Sequence, residues 1–338
     1  PKQAQKKYQN IHLRGKKIDN TGWISVDYIK YLEDQNFSFR LNTIIDDVEL
    51  NGIHMTDLMA DRVNVFLYDT LKKHVGSALL EKIINTAAMS NAYHPVLDYF
   101  KSLDYRNSGT IDALISHFET NDDDLFSVYL KKWLIAAVAK AYHGIQTPML
   151  VLDGRQNLGK SAFSRWLCPP ILKGRYYDGP IRPDNKDDLL MLIENLIWEA
   201  SELGSTTRKA DREGLKQFIT HEGLLKVRPP YAKRHIEKPP LASFIGTINN
   251  EAGFINDPTG SRRFNVITLK HIDWNYEKKI SIDDLWAEAH YLYKNHYDYH
   301  LTQEEVIEHD KMNANYHYET HVDSLLDKFI MITNNPID

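Results

Sequence analysis

A single cysteine, Cys168, stands in 338 residues. That excludes an internal disulfide and any metal site built on thiolates, and it fits a reducing, cytoplasmic compartment. Beside Pro169-Pro170, Cys168 reads as a packing residue. No apolar run approaches bilayer length and no signal peptide opens the chain, so no membrane partner is expected. The chain opens on Pro1 rather than Met, as a piece of a longer protein would. Positive charge is not in excess either. Lys and Arg number 41 against 46 Asp and Glu, a net charge of -5. This argues against a broadly basic nucleic-acid binder and confines any such contact to local basic patches. Internal repeats and low-complexity segments are missing. His94 has no second ligand at metal spacing and reads as structural.

What remains is an ordinary globular composition, 42% hydrophobic and 26% charged, in a chain long enough for two or three domains. Residues 1–20 are polar and basic and read as a solvated tail. Alternation over Phe37–Leu41 fits a strand, and Glu49-Leu50-Asn51-Gly52 fits a strand end with a turn. Helical spacing then predicts a helix capped by Thr56 that carries Leu58, Met59, Val63, Phe66, Leu67 and Leu71, and a second over Leu79–Met89. Pro95 opens a third. Residues 1–120 thus read as a mostly helical N-terminal domain without a catalytic constellation. The fold class expected over 121–272 is an α/β core with a parallel sheet. Residues 273–338 read as a helical C-terminal region.

The core is organised around Gly154-Arg155-Gln156-Asn157-Leu158-Gly159-Lys160-Ser161, which fits the phosphate-loop pattern G-x-x-x-x-G-K-[ST] without a mismatch. An apolar run, Met149–Asp153, precedes it as a strand, and Ala162 opens a stretch with helical spacing. Glycines let backbone N–H groups approach a phosphate, and the helix N-terminus favours an anion. In such a loop Lys160 reaches the β- and γ-phosphates and the Ser161 hydroxyl ligates Mg²⁺. ATP and Mg²⁺ are therefore the expected cofactors.

A second apolar strand, Leu196–Glu202, carries Glu199 and Glu202. A phosphate-loop NTPase needs an acid beside the loop to hold the magnesium shell and polarise the attacking water. The division of labour between the two glutamates stays open. Leu241–Asn249 is a third apolar strand, and Asn249 at its end suits either orienting the lytic water or contacting the γ-phosphate. Arg262 and Arg263 follow a tight turn. Such a pair suits an arginine finger, and salt-bridged surface arginines are the alternative. Between Leu224 and His235, two strand-like pieces flank a basic tip with Lys233, Arg234 and His235, and Tyr231 is interleaved, a composition suited to DNA, with a solvated basic hairpin as the alternative.

Taken in order, Gly154–Ser161, Trp198–Leu203, Arg228–Tyr231, Gly246–Asn249 and Gly260–Phe264 resemble the virulence-associated protein E family. Its members are primase-helicases and replication initiators of phages, plasmids and staphylococcal pathogenicity islands. More distantly the chain is similar to superfamily 3 helicases and poxvirus-type primase-helicases. The resemblance is strong from about residue 94 to 293, including His94-Pro95 and Lys131-Lys132-Trp133-Leu134. It implies an AAA+ fold assembling as a ring, usually a hexamer, around single-stranded DNA. On that resemblance Gly154, Asn157, Gly159, Lys160 and Ser161 are Walker A residues, Glu199 and Glu202 match the Walker B acids, and Asn249 matches sensor 1. Arg262 or Arg263 would be the finger reaching a neighbouring subunit's ATP. Lys233, Arg234 and His235 fall where superfamily 3 helicases carry a pore hairpin. In phosphate-loop NTPases the usual first acid is aspartate, often followed by glutamate, whereas here the first acid is glutamate and the two stand three apart. The function expected is a replicative DNA helicase of a mobile genetic element, with a collar, a motor and a lid. A phosphate-loop ATPase without unwinding activity and a non-catalytic DNA- or partner-binding module are the other readings.

Overall fold

The computed structural model describes residues 22–316, apart from 107, 146, 183–184, 202, 204–213, 215–217, 220, 222, 230–234 and 250–261. The chain divides into two compact units, Pro1–Pro95 and Val96–Asp338.

In the first unit, α1 (Ser25–Asp34), α2 (Asp57–Leu71) and α3 (Ser77–Ser90) accompany an antiparallel sheet of β1 (Phe39–Asn42), β2 (Asp47–Leu50) and β3 (Ile53–His54). Asn51 and Gly52, both at positive φ, close the tight hairpin between β2 and β3. The Thr56 hydroxyl accepts from the Met59 N–H at 3.4 Å and caps α2. Val63, Leu67 and Leu71, one helical stripe, join Leu32, Phe39, Leu50, Ile83 and Ile84 in the core. Leu58 does not follow them and is 63% exposed. The sequence led us to expect a mostly helical domain. The sheet makes this unit mixed, because its strands span only two to four residues and leave little periodicity to read.

The second unit is α/β. It begins with α4 (Pro95–Ser102), α5 (Thr110–Ile115) and β4 (Phe118–Thr120), and β4 joins the main sheet, so residues 96–120 go with the core rather than with the first unit. There follow α6 (Asp123–His143), β5 (Met149–Asp153), α7 (Lys160–Trp166), a 3₁₀ turn over Pro170–Arg175, β6 (Tyr176–Asp178), α8 (Lys186–Glu194) and β7 (Ile197–Ala200). A short antiparallel ribbon of β8 (Leu225–Val227) and β9 (Ile236–Lys238) leads into β10 (Ser243–Thr247) and β11 (Phe264–Ile272). Three helices, α9 (Tyr276–Lys279), α10 (Ile282–Lys294) and α11 (Gln303–Ala314), close the described chain. The strand order is β4-β11-β5-β10-β7-β6, and all neighbours except β4 and β11 run parallel. Every residue of β5, β7 and β10 is buried, which is why these strands read as continuous apolar runs rather than alternating ones.

Helix α6 is buried on all sides. The Asp122 carboxylate caps it by accepting from the Leu125 N–H at 3.0 Å, and Gly144 at positive φ ends it. Trp133 on this helix donates to the Phe244 carbonyl of β10 at 3.0 Å. Lys140, also on α6, is 1% exposed, with its ammonium 5.2 Å from the Phe244 ring centre. Burial pushes its pKa down to about 7. The unfolded chain therefore holds this proton across a range of pH where the folded chain has released it. Stability should rise from pH 7 to pH 9 by roughly 2–3 kcal/mol from this group alone. Lys140→Met should raise stability at pH 7 by on the order of 2–4 kcal/mol and flatten that slope. Urea unfolding at the two pH values checks both, and a destabilised methionine variant would contradict the account.

Candidate functional site

The glycine loop leaves the carboxyl end of β5 and enters α7. Its two glycines are required by conformation and by space. Gly154 has φ +143°, and a Cβ there would lie 2.7 Å from the Leu269 carbonyl oxygen. Gly159 has φ +107°, and a Cβ there would lie 2.0 Å from the Trp274 ring. Asn157 between them is also at positive φ. The loop thus folds back on itself and points Lys160 inward. The Lys160 ammonium donates to the carbonyls of Gly154 at 2.6 Å and Arg155 at 3.0 Å and to Asn249 Oδ1 at 3.1 Å. It is 6% exposed. Burial holds its pKa below the ordinary lysine value, and the carboxylate of Asp153 works against that.

Because β10 lies between β5 and β7, its end stands between the loop and the acid strand. Glu199 is fully buried within β7, opposite Ile245 of β10 and Asp178 of β6. Burial raises its pKa, and hydrogen bonds from the Ser161 and Tyr176 hydroxyls pull it down. Tyr176 donates to Glu199 Oε2, and the Thr247 hydroxyl lies 3.5 Å from Oε1. A cleft of about 320 Å³ opens here, lined by Gln156 to Ala162, Ser201, Thr247 and Asn249. That is at the small end of ligand-binding clefts. Among the described residues no group of three or more His, Cys, Asp or Glu could hold a metal ion. The donors at hand, the Ser161 hydroxyl and the Glu199 carboxylate, are hard oxygens in mutual contact. They fit magnesium, which keeps most of its waters and takes one or two protein oxygens together with phosphate.

The structure therefore brings Gly154 to Ala162, Lys160, Ser161, Glu199 and Asn249 together. Arg262 and Arg263 lie elsewhere. They precede β11, whose Phe264 pairs with Met149 at the amino end of β5, whereas the loop follows its carboxyl end. Arg262 is exposed. Arg263 is half-buried, and its Nε is buried without a hydrogen-bond partner among the described residues. Glu202, Lys233 and Arg234 lie outside the described residues. His235 is exposed directly before β9, at the loop end of the β8–β9 ribbon, within which Lys226 and Glu237 pair at 3.2 Å. Three groups at the site escaped the sequence reading. Tyr176 reaches Glu199 from 23 positions away, and Tyr316 and Thr268 donate to Asp153 Oδ2 at 3.2 Å each. No local pattern signals them, because each depends on strand order or on helix docking. No described helix is long and apolar enough to cross a membrane.

Comparison with known proteins gives a family and a fold. The apo structure of the NrS-1 C-terminal region resembles the chain with a TM-score of 0.55 at 13% identity, covering 93% of this chain and 83% of that one. Two A-form apo structures of the same region give 0.50 at 16% identity and 0.51 at 14% identity. They cover 92% and 93% of this chain and 83% and 84% of those chains. At such identities the likeness is one of fold. No curated protein matches the chain. The virulence-associated protein E-like domain matches residues 100–318, a span that holds the loop, Glu199, Asn249 and both arginines. With well over half of its length matched, the chain belongs to the virulence-associated protein E-like domain family.

Proposed function

We propose that the chain is an AAA+ ATPase motor that unwinds DNA during replication of a phage or other mobile element, working as a ring, a hexamer by resemblance, around single-stranded DNA. One observation carries the reading. Lys160, Ser161, Glu199 and Asn249 converge on a single cleft at the carboxyl edge of a parallel sheet, where α/β folds bind ligands. In this reading the loop N–H groups and Lys160 hold the β- and γ-phosphates of ATP. Magnesium, held by Ser161 and Glu199 oxygens, supplies charge neutralisation at the transferred phosphoryl group. Asn249, which accepts from Lys160 at 3.1 Å, orients the water or contacts the γ-phosphate. Glu199 or Glu202 draws the proton from the attacking water. Residues 233–235, between β8 and β9 in the sequence, contact DNA, and 273–338 serve as the lid. A cytoplasmic site of action fits the single cysteine.

The test is ATP hydrolysis with and without single-stranded DNA, alongside strand displacement on a forked duplex. Turnover stimulated by DNA and coupled to displacement is expected. Hydrolysis indifferent to DNA with no displacement would leave a phosphate-loop ATPase of another kind. Nucleotide binding without turnover would leave a binding module.

A further inference from the structure

Tyr176 lies on β6, the edge strand next to β7. The register pairs Tyr176 with Ile197 and Asp178 with Glu199, so Tyr176 and Glu199 are diagonal neighbours on one face of the sheet. The phenol donates to Glu199 Oε2. Its ring is covered by the Arg165 guanidinium of α7, 5.6 Å from the ring centre, and Arg165 in turn lies 4.0 Å from Asp178. The ring is thus held between the helix that the phosphate loop opens and the strand that carries the acid. The phosphate-loop pattern does not call for an aromatic at this place. A carboxylate tied at one oxygen loses rotational freedom, and its second oxygen, Oε1, then faces Thr247 at 3.5 Å on the cleft side.

We infer that Tyr176 is a positioning residue for Glu199, fixing one carboxylate oxygen so that the other is presented to the cleft. The inference rests on the ATPase reading and names a residue which that reading does not need. Groups that orient a ligating carboxylate typically matter by about 10- to 100-fold in metal affinity or activity when removed.

Tyr176→Phe removes one oxygen and keeps the ring under Arg165. In the full chain, binding of a fluorescent ATP analogue without magnesium should be unchanged. The magnesium concentration needed to tighten that binding should rise about tenfold or more, and kcat should fall by about 10- to 100-fold with the KM for ATP held. In a Glu199→Gln background the same change should add nothing to the magnesium requirement, because the two residues act as one unit. Unchanged magnesium dependence and kcat in Tyr176→Phe would overturn the inference. So would an equal loss in the Glu199→Gln background, or a Tyr176→Phe chain that fails to fold. Turnover by the wild-type chain tests the ATPase reading separately, and only the ratio of Tyr176→Phe to wild type tests this one.

Discussion

Lys160→Ala should lower ATP turnover by about a thousandfold or more and weaken nucleotide binding with it. Two effects add. The ammonium is the one cation that the loop turns inward, in a cleft where Lys160 itself is 6% exposed, and charge in such a setting is screened little. Its donors also hold the loop's own carbonyls of Gly154 and Arg155. Alanine leaves these unpaired and frees the loop from the geometry that aims its N–H groups. Lys160→Met keeps the aliphatic stem and loses the ammonium together with its donors, so a loss matching that of alanine would assign the effect to the ammonium and not to the stem. Phosphate release and binding of a fluorescent ATP analogue measure both. Intact turnover in either variant would show that chemistry takes place somewhere other than this cleft.

Arg262→Ala should cost a similar or larger factor in turnover, on the order of 10³ or more if it serves as a finger, while nucleotide binding holds. The register fixes where its effect must be felt. Phe264 pairs with Met149 and Thr268 with Asp153, so four residue steps along β5, about 13 Å, separate the arginine end of the strand from the loop end. No arginine spans that path to its own loop, so in the proposed ring its target would be the nucleotide of a neighbouring subunit. Arg262, exposed, suits this role, whereas Arg263 buries its Nε in its own subunit. Mixing Arg262→Ala chains with Lys160→Ala chains should restore part of the turnover, because each mixed contact can join an intact loop to an intact arginine. A mixture with no recovery would remove Arg262 from the mechanism.

Much of the site was readable because its determinants are local. The loop is eight consecutive residues whose glycines have fixed conformational reasons. The buried strands are apolar runs, and Glu199 stood out as an acid inside one of them. What could not be read depends on strand order. That β10 comes between β5 and β7, and so sets Asn249 against Lys160, is a property of the sheet. The same holds for the meeting of Tyr176 with Glu199. The end regions were harder for a different reason. In the first unit β1 was foreshadowed by the alternation over Phe37–Leu41, but β2 and β3, of four and two residues, are too short to show any. In the C-terminal region His309 and Asn313 donate to the Phe264 carbonyl at 3.0 and 2.8 Å, tying α11 to the start of β11. Polar side chains on a helix read as solvated until the partner carbonyl is known.

Strand β11 follows directly on the arginine pair and carries, at Thr268, a hydroxyl on Asp153 at the root of the loop. It therefore acts as a gauge of fixed length. Loops before and after it can lengthen or shorten at small cost, as surface connections generally do. Inserting one residue within Phe264–Thr268 would turn the following side chains to the opposite face of the sheet. Inserting two would restore the faces but displace one end of the gauge by about 7 Å against the other. Either change would separate the anchor at Asp153 from the reach of Arg262 without touching a single residue of the cleft.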